Sequence, residues 1–141
     1  MKLNLEQAKA EFDKWLEFRK TRKSKIENYK EQGDLIIEAI ADGDLVVKDD
    51  FTLEYQLLQP LKTDDDEVIL SSLTFKPRMR KQDLISHQKG LKPNDADGRL
   101  LATIAALADK TPCDVAVNKQ LIGKLDTEDI SVCEAIALYF L

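Results

Sequence analysis

A proline at the end of an apolar run places the strongest constraint on this chain. Val68 to Phe75 reads Val-Ile-Leu-Ser-Ser-Leu-Thr-Phe, the composition of a half-buried strand. Pro77 has no N–H to give to a ladder and biases Lys76 toward extended geometry, so this strand cannot run on inside a sheet. The residues that follow, 78 to 88, return to helical spacing through Met79, Leu84 and Ile85. The chain therefore turns a corner at Lys76-Pro77, and Glu67 to Leu84 becomes the junction around which the rest is arranged.

Upstream of the corner, residues 5 to 41 read as helix. Leu5, Ala8, Phe12, Trp15 and Leu16 recur at spacings of three and four, as do Ile26, Tyr29, Ile36, Ile37 and Ile40 after a gap. In that gap lies Arg19 to Lys25, five basic residues in seven, with no apolar side chain to bury. The spacing admits one long helix crossing solvent or two shorter ones turning there, and no glycine or proline selects the turn. Glu17, Glu27 and Glu31 lie within helical pairing distance, so a solvated face is expected for the basic run. Gly33 is a weak point, about 1 kcal/mol worse than alanine in a helix interior.

Asp42-Gly43-Asp44 signals a stop, with Gly43 placed for the left-handed conformation that ends a helix. Leu45 to Lys48 has the composition of a short strand. Phe51, Leu53, Tyr55 and Leu57 then alternate with Thr52, Glu54 and Gln56, the period of a half-buried strand, and Pro60 confines that strand to an edge or an end. Paired across the turn at Lys62 to Glu67 with Val68 to Phe75, it makes a β-hairpin. The acids at the tip, Asp64 to Glu67, are expected to be solvated rather than to hold a cation.

Downstream, Gly90 to Gly98 is a loop feeding an alanine- and leucine-rich helix, Arg99 to Asp109. Asp95-Ala96-Asp97-Gly98 lacks the spacing of a calcium loop, since placing Gly98 at the sixth position puts Pro93 first and Ile104 twelfth, so helix capping is its expected role. Thr111-Pro112 opens another helix, with Asp114 in its first turn, and Asn118 caps a short turn that stops at Gly123. Asp126 opens the final one, with Ile130, Cys133, Ile136, Ala137 and Phe140 as its core stripe. From Val132 onward that helix is apolar on almost every side, so it is either deeply buried or half of an interface.

The expected class is α+β: an N-terminal helix or helical hairpin over residues 1–44, then a β-hairpin and a compact bundle of three to four short helices over 45–141. With 26 acidic and 21 basic residues, the net charge of −5 gives no whole-molecule attraction for nucleic acid. The N-terminus lacks a signal-peptide core and no apolar run is long enough to span a bilayer, so a cytoplasmic protein is expected. Cys113 and Cys133 are expected as reduced thiols filling core space. His87 stands alone, and no nucleophile with its base, glycine-rich phosphate loop or metal-ligand spacing occurs; neither enzyme activity nor a cofactor or metal is expected.

The element order resembles a known family. Leu70-x-x-Leu73-x-Phe75-Lys76-Pro77-Arg78-x-Arg80-x-x-Asp83-Leu84, the helix from Gly98 to Ala108, and the opening at Leu125, Glu128 and Asp129 are similar to the tail assembly chaperones of contractile-tailed phages and prophages, the P2-like and Mu-like group. The similarity covers about residues 51 to 141 and leaves the first 44 residues as an addition. It implies a cytoplasmic, non-enzymatic protein that binds the tape measure protein, keeps it soluble and helps recruit tail tube subunits. It also implies a longer form made by frameshifting near the end of the coding region. Exposed apolar helix faces are shielded most directly in an amphipathic groove. The candidate partner-binding residues are therefore Phe12, Trp15 and Leu16 on the first helix and Val132, Leu138, Tyr139 and Leu141 on the last. Arg78, Arg80 and Lys81 at the corner would select acidic partners. Two other readings stay open: a nucleic-acid-binding regulator using the basic runs, and an oligomerisation module that self-associates through its terminal helices.

Overall fold

The computed structural model describes residues 2–62, 64–88, 91, 95–108 and 119–140. The fold is α+β, with a three-stranded antiparallel sheet and helices on both sides of it in sequence. The expectations for Thr111-Pro112, Cys113, Asp114, Asn118 and Leu141 lie outside the described residues.

Residues 5 to 41 form three helices: α1 (Leu5–Phe18), α2 (Lys23–Asn28) and α3 (Lys30–Ala41). Asn4 opens α1 with a reciprocal capping box, its side chain accepting from Gln7 N at 2.8 Å while the Gln7 side chain accepts from Asn4 N at 3.1 Å. The turn that the sequence left open is made without glycine. Lys20 adopts φ 54°, and Thr21 N donates to Leu16 O and Lys20 N to Glu17 O, both at 3.0 Å, which is a Schellman ending with lysine in the left-handed position. At the end of α3, Gly43 takes φ 84° in the same motif, as its sequence context predicts.

Strands β1 (Leu45–Val47), β2 (Leu53–Lys62) and β3 (Val68–Phe75) lie in the order β1-β2-β3. Leu53, Tyr55 and Leu57 face the core, as the alternation predicts, while Phe51 sits in the preceding turn at φ 65°. β2 is the central strand and yet contains Pro60. The register explains this: β1 reaches only Tyr55, and between the pairs Gln56↔Ser72 and Leu61↔Leu70 residues 57–60 stand opposite Ser71 alone. Pro60 thus lies in a bulge beyond β1, where no ladder needs its missing N–H.

The bulge is filled from the far side by α7 (Thr127–Leu138). Asp129, fully buried, accepts from Tyr55 Oη at 2.7 Å, from Leu58 N at 2.9 Å and from Gln59 N at 3.0 Å. Nothing in the local sequence marks Asp129 for burial; the structure turns it inward, where three donors replace its water. Asp126 caps α7 by accepting from Glu128 N at 3.1 Å. Most of the end of the chain from Val132 is deeply buried, Val132, Cys133, Ala135, Ile136, Ala137 and Tyr139 all lying inside, while Leu138 and Phe140 stay partly exposed.

The remaining helices are α4 (Lys81–Gln88), α5 (Ala96–Leu107) and the short α6 (Lys119–Ile122). Asp95 caps α5, accepting from Gly98 N at 2.9 Å, in keeping with the capping role expected of that loop. The core is one cluster running from Ala8 to Tyr139, and α3 packs on both α1 and α7. Phe12 and Trp15 meet Tyr139 edge-on with ring centroids 5.7 and 6.2 Å apart. Residue 44 is therefore no break in packing. Gly33 accounts for the closeness of α3 to this cluster: a Cβ there would lie 2.8 Å from Tyr139 Oη, the hydroxyl that donates to Tyr29 O at 2.8 Å.

Candidate functional site

The corner predicted at Pro77 is where three helices end. β3 stops at Phe75, which bridges to Ala108, and Lys76 N donates to Leu107 O at 3.0 Å, so the end of α5 sits against the corner. Arg78 donates to Phe18 O at 3.1 Å at the end of α1. Arg19 answers from the other side, its Nε donating to Pro77 O at 3.2 Å and its Nη1 to Tyr139 O at 2.9 Å at the end of α7. Residues 18–19 and 77–78 thus clasp each other, each arginine reaching the carbonyl beside its counterpart.

The electrostatic reason is in the helices. None of α1, α5 and α7 carries a basic residue in its last turn. Their unpaired carbonyls and negative dipole ends meet at one place, and cations brought from elsewhere complement them. Arg78 serves α1, Arg19 and Lys25 serve Tyr139 O of α7, the latter at 3.4 Å, and Lys76 Nζ reaches Ala106 O of α5 at 3.5 Å. Arg19 also lies 3.7 Å above the Phe140 ring and 5.1 Å from that of Trp15. Burial, and then the Arg78 charge, push its guanidinium down to about 10. The solvated-face expectation for the basic run is corrected here: Arg19 and Lys25 are half-buried caps, while Lys20, Arg22 and Lys23 remain exposed.

Beside the corner opens a groove of about 770 Å³ between α4, α5 and the end of α7. Its walls are Met79, Leu84, Ile85, Leu100, Leu138 and Phe140, with Lys81, Arg99 and Asp97 at the rim. α4 buries no residue fully, and Ile85 is 56 % exposed.

The expected contact residues divide between these places. Phe12, Trp15, Leu16, Val132 and Tyr139 are inside the core, so their apolar area is already used in packing the chain on itself. Arg78, Arg80 and Lys81 are exposed at the corner, although Arg78 is engaged with Phe18 O, and Leu138 is half-buried in the groove wall. Leu141 lies outside the described residues. Sequence reasoning missed Met79, Leu84, Ile85, Leu100 and Phe140 as one surface. The available signal was Leu84-Ile85 on a helix too short and too polar to bury both.

Chemistry elsewhere is sparse. Cys133 is a buried free thiol whose pKa burial raises, which holds it in the unreactive protonated form. Asp64 to Glu67 are exposed at the hairpin tip, and no group of metal-ligating side chains occurs among the described residues. Among the described residues no helix is long and apolar enough to cross a membrane. No family model matches the chain, and neither a curated protein nor a solved structure matches it.

Proposed function

We propose that this protein is a non-enzymatic assembly chaperone that shelters an apolar helical segment of a larger partner in the groove between α4, α5 and α7. The observation that carries the reading is the groove itself: a contiguous apolar surface with an open mouth, on a chain whose other large apolar side chains are mostly internal. The sequence resemblance makes the partner the tape measure protein of a contractile phage tail, with recruitment of tail tube subunits as the step that follows. A tape measure segment is long, helical and apolar on one face, which is the shape such a groove accepts.

Co-expression tests it. The chain should raise the soluble yield of its candidate tape measure protein and co-purify with it, and Ile85→Asp should abolish both while leaving the fold intact, because Ile85 is exposed. An unchanged yield with the wild-type chain, or full activity in Ile85→Asp, overturns the proposal.

A further inference from the structure

We infer that Met79 is a reversible oxidation site in the wall of the groove, and that its sulfoxide weakens the docking of an apolar partner there. This rests on the reading of the groove as a helix-binding site and adds a chemical control on it.

The chain has two methionines, Met1 and Met79, so Met79 is the one thioether beyond the first residue. It is only partly buried, and it lines the groove together with Leu84, Ile85, Leu100, Leu138 and Phe140. Those neighbours are hydrocarbons, inert to peroxide, so the chemistry is confined to one atom of the wall. Cys133 does not compete, because it is sealed in the core and held protonated. A thioether needs no deprotonation to react. Its sulfur lone pair attacks one oxygen of hydrogen peroxide, the O–O bond breaks, and the products are the sulfoxide and water; sulfur is oxidised by two electrons and the peroxide is reduced.

The product stays where it is formed. Upstream, Arg19 Nε donates to Pro77 O at 3.2 Å and Arg78 Nη2 to Phe18 O at 3.1 Å. Downstream, Arg80 N donates to Asp83 Oδ2 at 3.3 Å and Asp83 N to Arg80 O at 3.0 Å, which fixes the start of α4. Met79 lies between these anchored points, so its backbone cannot carry the oxidised side chain away from the wall. In the free chain the sulfoxide oxygen keeps its water, because the side chain is partly exposed, and the fold stands. An apolar helix face laid over it would strip that water and supply no donor in return. The cost of oxidation therefore falls on docking.

The test uses the full chain, dilute hydrogen peroxide, and a fluorescein-labelled helical peptide of about 15 residues with a leucine stripe. Mass mapping should place one added oxygen on Met79 and none on Cys133, with Tm nearly unchanged. Polarisation should show the peptide bound about five- to fiftyfold more weakly after oxidation, and methionine sulfoxide reductase with a thiol should restore the binding. In Met79→Leu, peroxide should leave the affinity at its starting value. An unoxidised Met79, equal affinity before and after its oxidation, a matching loss in Met79→Leu, or unfolding on oxidation overturns the inference and leaves the groove reading standing. Failure of the untreated chain to bind the peptide overturns the groove reading as well.

Discussion

Replacing Asp129 by asparagine changes almost no volume and alters one thing, the ability to accept from three converging donors. Oδ1 accepts from Tyr55 Oη and Leu58 N, and Oδ2 accepts from Gln59 N. An asparagine with its carbonyl in the Oδ1 position keeps the first two bonds and turns its own NH2 toward the third donor. The two retained bonds fall from charge-assisted to neutral strength, about 1 kcal/mol each, and Gln59 N is left without an acceptor at about 1–3 kcal/mol. Removing a buried charge offsets part of this. The net expectation is a loss of about 2–4 kcal/mol.

In urea unfolding the midpoint should fall with the slope unchanged, and Tm should drop by roughly 10 °C for a chain of this size. Tyr55→Phe removes one of the donors and should cost about 1–2 kcal/mol. Burial, and then the bond to Asp129, push the Tyr55 phenol far up, so it is a donor throughout the accessible pH range. Combined with Asp129→Asn it should be less than additive, because both act on one bond. An Asp129→Asn protein within about 0.5 kcal/mol of the parent, or strict additivity in the double mutant, would show that the carboxylate does not organise the bulge.

Gly33→Ala should destabilise by about 1–3 kcal/mol in the same assay despite the better helix propensity, because the added Cβ meets Tyr139 Oη at 2.8 Å and Phe12 Cε2 at 3.2 Å. Lys20→Gly should stabilise by about 1 kcal/mol by relieving the left-handed conformation at φ 54°, and a loss of stability would refute the Schellman assignment. Glu134→Gln should raise Tm near neutrality, since burial and then Asp97 hold the Glu134 carboxyl above its ordinary value of 4.5. A raised carboxyl favours the fold below 4.5 and loses that contribution as pH climbs through the folded value, so the advantage of glutamine should vanish in acid. A glutamine variant with the same Tm difference at every pH would exclude this origin.

What the sequence made legible was local. β3 spans Val68 to Phe75 as its composition and Pro77 require, Gly43 ends α3 as its flanking aspartates suggest, and Asp95 and Asp126 cap their helices. These features depend on neighbours a few residues away. What escaped was whatever depends on a distant partner. Asp129 at a helix start is indistinguishable in sequence from a solvated dipole acid until Tyr55 and the β2 bulge are placed beside it. The αL turn at Lys20 carries no sequence mark, since lysine is not favoured there. The groove escaped because its walls come from three helices: Met79, Leu100 and Phe140 each read as ordinary core positions.

The same distinction bears on the first 44 residues. By pattern they read as a helical unit ahead of the sheet, yet they solve an electrostatic problem created by the rest. α5 and α7 arrive at the Pro77 corner without a basic residue in their last turns, and the guanidinium that bonds Tyr139 O and covers Phe140 belongs to Arg19. Trp15 and Phe12 fill the space against Tyr139. Without α1 and the Arg19 that ends it, the end of α7 would lose its nearer cap and its aromatic packing, and Leu138 and Phe140, which form one wall of the groove, would lose much of what holds them in position. The N-terminal helices thus set the shape of a surface they do not line, and the candidate site is a property of the whole chain.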